Sequence, residues 1–134
     1  MLFRSGFGRE DGVPVPLAGL RAEIVGAVNQ DGSLNGNSPA VTQALGARRG
    51  AARRGTVLQL FATAMGMEAE PLPEVYIGGV RARVLFSGPA PGLKDTWQIN
   101  VLIPEDAPLA PAVHVRVVYQ EYELPSIDIA IESD

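Results

Sequence analysis

The chain has 134 residues, 46% of them hydrophobic, enough for one domain with a proper core and too few for two ordinary ones. Its net charge is −4 and its basic residues are ten arginines and the single Lys94, so the basic stripe that nucleic acid requires is not implied. With no cysteine, a disulfide framework, a thiolate metal site and a cysteine nucleophile are excluded; no apolar run reaches the length of a membrane helix.

The 15 Gly and 11 Pro suit many short strands joined by punctuated turns, and point to an all-β fold. Residues 1–20 mix Gly, Pro and charge without a period and read as a linker or poorly ordered end, leaving 21–134 as the domain. Met1–Ser5 resembles a translated sequencing adapter, and no signal peptide stands at the N-terminus. An upstream part is therefore expected to be missing.

Ala22–Asn29 is apolar enough for a strand, and the Asp31-Gly32 turn signal folds it back on Leu34 as a short hairpin. Pro39–Ala47 could form a helical turn or two, with Ser38 as N-cap and Gly46 as the stop. The following RRGAARRG reads as loop. Gly55–Thr63 places Leu58, Leu60 and Ala62 on one face and Val57, Gln59 and Phe61 on the other.

The pair Gly78-Gly79 supplies positive φ at both positions of a two-residue loop between Glu74–Ile77 and Val80–Phe86. The register follows: Ile77 faces Val80, Tyr76 faces Arg81, Val75 faces Ala82 and Glu74 faces Arg83. Val75, Ile77, Val80 and Ala82 then share a face that continues to Val84 and Phe86. The other face is expected to hold a Glu74–Arg83 ion pair and an Arg81–Tyr76 cation–π contact.

Thr96–Pro104 turns Trp97, Ile99, Val101 and Ile103 inward, with Trp97 expected near the centre of the core. Ala112–Tyr119 turns Val113, Val115, Val117 and Tyr119 inward and His114 outward. Ser126–Glu132 ends the domain with Ile127, Ile129 and Ile131 inward. Two sheets packed through these faces make a sandwich.

Residues 28–40 (VNQDGSLNGNSPA), 55–66 (GTVLQLFATAMG), 75–93 (VYIGGVRARVLFSGPAPGL) and 96–104 (TWQINVLIP) resemble the Solibacter-type uncharacterised C-terminal domain of acidobacterial proteins. The second half is similar to immunoglobulin-like IPT/TIG modules. The resemblance covers about residues 22–133 and implies an antiparallel immunoglobulin-like β-sandwich with an N-terminal hairpin and a long loop. It also implies an extracellular or envelope location and further domains upstream. Ala64, the long approach ALGARRGAARRG and the final turn QEYELP depart from the family pattern. The family offers no catalytic or ligand residue to carry over.

Candidate chemistry is sparse. His114 lies mid-strand on the outward face, where Ala112 and Arg116 offer no ligand, and a solvated role is favoured over catalysis. Asn29, Asp31, Ser33 and Asn35 alternate oxygens around Gly32 but fail the calcium-loop spacing, which favours a hairpin turn. Arg48, Arg49, Arg53 and Arg54 form the one dense charge cluster and read as a solvated loop rather than an anion site. Glu121, Glu123, Asp128 and Glu132 lie at a turn or along one strand, so carboxylate-pair catalysis is disfavoured. Val57, Phe61, Leu102 and Val118 fall on faces that should meet water, and coverage by residues 1–50 is expected ahead of a partner interface.

The expectation is thus a non-enzyme with no cofactor: a structural, display or attachment module at the C-terminus of a longer exported bacterial protein. Its partners would be upstream domains of the same polypeptide, without nucleic acid or membrane insertion. The alternative is a module binding carbohydrate or an envelope protein through an edge strand or loops 29–35 and 88–94.

Overall fold

The computed structural model describes residues 9–10, 13–14, 21–36 and 49–133. The helical turn expected over Pro39–Ala47 lies outside them. The described residues contain no helix, and the fold is all-β. Near the N-terminus β1 (Arg9–Glu10) and β2 (Val13–Pro14) pair with each other.

The remaining strands form one sheet, nearly closed into a barrel. They are β3 (Arg21–Val28), β4 (Leu34–Asn35), β5 (Ala52–Arg53), β6 (Val57–Met65), β7 (Glu74–Ile77), β8 (Val80–Pro89), β9 (Thr96–Leu102), β10 (Ala110–Tyr119), β11 (Tyr122–Leu124) and β12 (Asp128–Glu132). Their order is β4-β3-β6-β9-β8-β7-β10-β12-β5, with β11 beside β10. Every pair is antiparallel except β5 on β12.

The hairpin around Gly78-Gly79 has the expected register, Ile77↔Val80, Tyr76↔Arg81 and Val75↔Ala82, with φ of 61° and 84° at the two glycines. Beyond Ala82 the ladder changes partner. Arg83 stands opposite Leu102 of β9, so the expected Glu74–Arg83 ion pair does not form, and Glu74 instead accepts a hydrogen bond from the Tyr76 hydroxyl at 2.8 Å. Strand β8 thereby carries the chain from β7 to β9.

A bulge between Val84 and Phe86 sets two successive side chains, Leu85 and Phe86, on the outer face and reverses the alternation. Phe86 was expected inward beside Val84; it is 42% exposed and its ring lies over Gly88. After the bulge Ser87 turns inward, where its hydroxyl accepts the Trp97 indole N–H at 2.8 Å. Trp97 is buried but is the second residue of β9 and stands opposite Pro89. The middle of the core belongs instead to Leu58, Leu60, Ile99 and Val101, all fully enclosed.

Those residues join Ile24, Val75, Ile77, Val113, Val115, Val117, Tyr119, Ile129 and Ile131 in one apolar interior. Each such side chain removed from water contributes roughly 1.5–3 kcal/mol. A second, smaller cluster lies on the outer side of β6, where Phe61 packs with Val28, Leu34 and Ala90. Phe61 is only 8% exposed, and Val57, Leu102 and Val118 are half-buried. Two of the residues covering Phe61 come from the β3–β4 hairpin, within the segment expected to cover that face.

Two further departures are local. The segment RRGAARRG is not simply loop: Arg49 bridges to Leu34, and Ala52 and Arg53 lie parallel to Ile131 and Glu132. The final turn is tight, because Tyr119 pairs with Tyr122 across Gln120 and Glu121, whose φ values are 50° and 71°.

Candidate functional site

Among the described residues, a cluster of buried polar side chains is built on the β3–β4 hairpin. Asn29, Ser33 and Asn35 are each buried, and burial of a polar group is stable only when its hydrogen bonds are made. Gly32 takes φ of 89°, which lets the turn close with Asn29 N–H donating to Ser33 O at 2.8 Å. Asp31 Oδ1 accepts from Ser33 N at 2.9 Å and from Ser33 Oγ at 2.6 Å, the local bond that makes Asp a turn residue.

From there the bonds run inward. Asn29 Nδ2 donates to Ser33 Oγ and to Gly50 O, both at 3.0 Å. Asn35 Nδ2 donates to Asn29 Oδ1 and to Ala130 O, both at 2.9 Å. Asn35 Oδ1 accepts from Ala130 N at 2.7 Å and from Gly36 N at 2.8 Å. The oxygens that superficially suggested a calcium loop are thus turned onto the chain's own N–H and O–H groups, as the hairpin reading implies.

This network lies on the seam of the barrel. Strands β4 and β12 face each other without a backbone ladder between them, and the Asn35 carboxamide bridges them. At the other end of the seam Ile24 N–H donates to Pro125 O at 2.8 Å. A strap over residues 49–53 crosses the seam: Gly50 N–H donates to Leu34 O at 2.9 Å, and Ala52 then joins β12.

The arginine cluster is divided among separate partners. Arg49 donates to Gly36 O, and Arg54 donates to Ala107 O through Nε at 2.8 Å and through a terminal nitrogen as well. Arg53 stands 4.0 Å from Glu132, both more than half exposed, and Arg48 lies outside the described residues. An open cleft of about 330 Å³ separates the turn from the strap, lined by Asn29, Asp31, Ser33, Arg49, Arg53 and Glu132 among others.

The outer face of β7, β10 and β12 carries the remaining candidates. His114 is paired with Asp128 across β10 and β12, with Nδ1 2.9 Å from the carboxylate and both side chains more than half exposed. Parity places His114 outward, where its own strand offers no partner; Asp128 follows only from the β10–β12 register, which an irregularity between Ala110 and Val113 hides. Tyr76 lies between two guanidinium groups, Arg81 at 5.6 Å and Arg116 at 5.2 Å from its ring centroid. Arg116 in turn donates to Glu123 at 3.1 Å. Exposed pairs of this kind contribute little individually. Of the other carboxylates singled out, Glu132 reaches toward Arg53 and Glu121 sits in the final turn.

Loops 29–35 and 88–94 share the small apolar cluster at Phe61, through Leu34 of the first and Ala90 of the second, but they adjoin opposite ends of β9. Val28 stands opposite Gln59, Val57 opposite Leu102, and Thr63 opposite Thr96, so the first loop adjoins the Leu102 end of β9 and the second its Thr96 end. Along the strand those ends are roughly 20 Å apart. Compared with protein-family models, curated proteins and solved structures, the chain matches none.

Proposed function

We propose that the chain is a non-catalytic immunoglobulin-like module, a structural, display or attachment unit at the C-terminus of a longer exported bacterial protein. The strand order supports this reading. Strands β3, β6, β9 and the second half of β8 stand as A, B, E and D do in that fold, and β7, β10 and β12 as C, F and G. The observation that carries the structural role is the direction of the buried polar groups. Asn29, Ser33 and Asn35 are bonded to the chain itself, and with the strap they cover sheet edges that could otherwise pair with neighbours.

A second reading, a module binding carbohydrate or an envelope protein, is favoured by the polar cleft between the turn and the strap. Loop 88–94 would then serve a separate surface. Screening the domain on a glycan array and on bacterial envelope preparations tests the two. The structural role expects no saturable binding; saturable binding that is lost on replacing Asp31 and Arg53, with the fold intact, would reverse the order.

A further inference from the structure

The seam requires two particular residues in succession. At position 35 it needs a carboxamide, because only an amide of that reach both donates and accepts at Ala130. Position 36 needs glycine, since φ is 79° and a Cβ there would meet Asp128 O at 3.1 Å and Ile127 Cδ1 at 3.0 Å. Together they make Asn35-Gly36, a dipeptide in which no side chain shields the backbone nitrogen that follows the asparagine. Such a nitrogen can attack the side-chain amide.

We infer that Asn35 is a self-modification site gated by the seam: it loses ammonia only while β4 is parted from β12, and the product holds the seam open. In the reaction the Gly36 nitrogen gives up its proton and bonds to Asn35 Cγ. The Cγ–Nδ2 bond breaks and the nitrogen leaves as ammonia, closing a five-membered imide. Water then opens the imide at either carbonyl, leaving aspartate or isoaspartate. The only co-reactant is water, and no oxidation state changes.

The closed seam opposes the first step. Gly36 N–H is turned to Asn35 Oδ1 at 2.8 Å, so the nitrogen presents its hydrogen rather than its electron pair. Rotating Cγ into line for attack breaks both bonds to Ala130 and the bond to Asn29. After conversion, position 35 carries an acceptor-only carboxylate. It can still receive Ala130 N–H, but it faces Ala130 O and Asn29 Oδ1 with no hydrogen to give. Isoaspartate adds a methylene to the main chain and displaces β4 as well.

The test follows the mass of the peptide containing Asn35 during incubation of the full chain at mildly alkaline pH, folded and in urea. Asn100, whose successor Val101 is branched, serves as the internal reference. Conversion at Asn35 is expected to be at least roughly tenfold slower in the folded chain, as for any reaction that waits on local opening. The Asn29→Ala variant, which keeps Asn35-Gly36 but removes one restraint, should convert several-fold faster than wild type when folded. The converted fraction, separated by its added negative charge, should show faster hydrogen exchange at the Ala130 and Gly50 amides. Equal rates folded and unfolded, no conversion in urea, or unchanged exchange in the converted fraction would each overturn the inference.

Discussion

The carboxamide of Asn35 and the backbone of Ala130 exchange two hydrogen bonds, N–H to Oδ1 at 2.7 Å and Nδ2 to carbonyl at 2.9 Å. This is the pattern of two residues paired across an antiparallel ladder, with a side chain in place of one strand. It joins residues 95 apart in the sequence and closes the sheet where β4 is too short to do so.

Asn35→Ala leaves Ala130 N–H and O and Asn29 Oδ1 without those partners in a partly buried setting. A loss of roughly 3 kcal/mol or more is expected, read as a lower urea midpoint at unchanged slope. Asn29→Ala should cost less, and the double mutant should show a coupling of about 0.5 kcal/mol or more because the two amides are bonded.

Glycines 32 and 36 both have positive φ but differ in surroundings. A Cβ on Gly32 meets nothing within 4 Å, whereas on Gly36 it presses on Asp128 O and Ile127. Gly32→Ala should therefore cost only the backbone term of about 1–2 kcal/mol. Gly36→Ala should cost roughly 1–3 kcal/mol more. Equal losses in thermal unfolding would show that the seam does not press on position 36.

Ser87→Ala strands the buried Trp97 indole N–H, for an expected loss of about 1–3 kcal/mol. Trp97→Ala should cost roughly 3–5 kcal/mol through the lost ring and the cavity left behind. In the Ser87→Ala background, Trp97→Phe should cost less than in wild type, since the unpaired donor goes with the indole. Denaturation midpoints of the four proteins check the sign of that coupling.

Gln120 and Glu121 occupy a two-residue loop with both φ positive, a conformation that favours Asn and Gly. Replacing them by Asn-Gly is expected to raise stability by about 1 kcal/mol, visible as a higher Tm. An unchanged or lower Tm would mean that the side-chain interactions of Glu121 outweigh the backbone strain.

Much of the strand pattern was legible because its causes are local. Gly78-Gly79 fixed the β7–β8 register, since a two-residue loop with positive φ leaves one alignment. Alternation placed Leu58, Leu60, Ile99, Val101, Val115 and Ile129 inward, since successive side chains on a strand point to opposite faces. The same alternation misplaced Phe86, because the bulge at Leu85 inserts a residue that no local signal marks. The turn at Gln120-Glu121 lacked the residues that usually announce it. In the candidate site, the turn formed by Asn29, Asp31 and Ser33 was legible from Asp31-Gly32, while Asp128 beside His114 was not.

By itself the sequence determined which residues face the core in most strands, where two of the turns fall, and that the fold is all-β. Period, φ and turn chemistry act over a few residues and are written into neighbouring positions. Only the tertiary structure decided that β8 passes from β7 to β9, that Ala52 and Arg53 lie along β12, and that Asn35 meets Ala130. These depend on which edges remain unpaired once the core has closed. That is settled by the burial of polar groups across the whole chain, which no stretch of it can express alone.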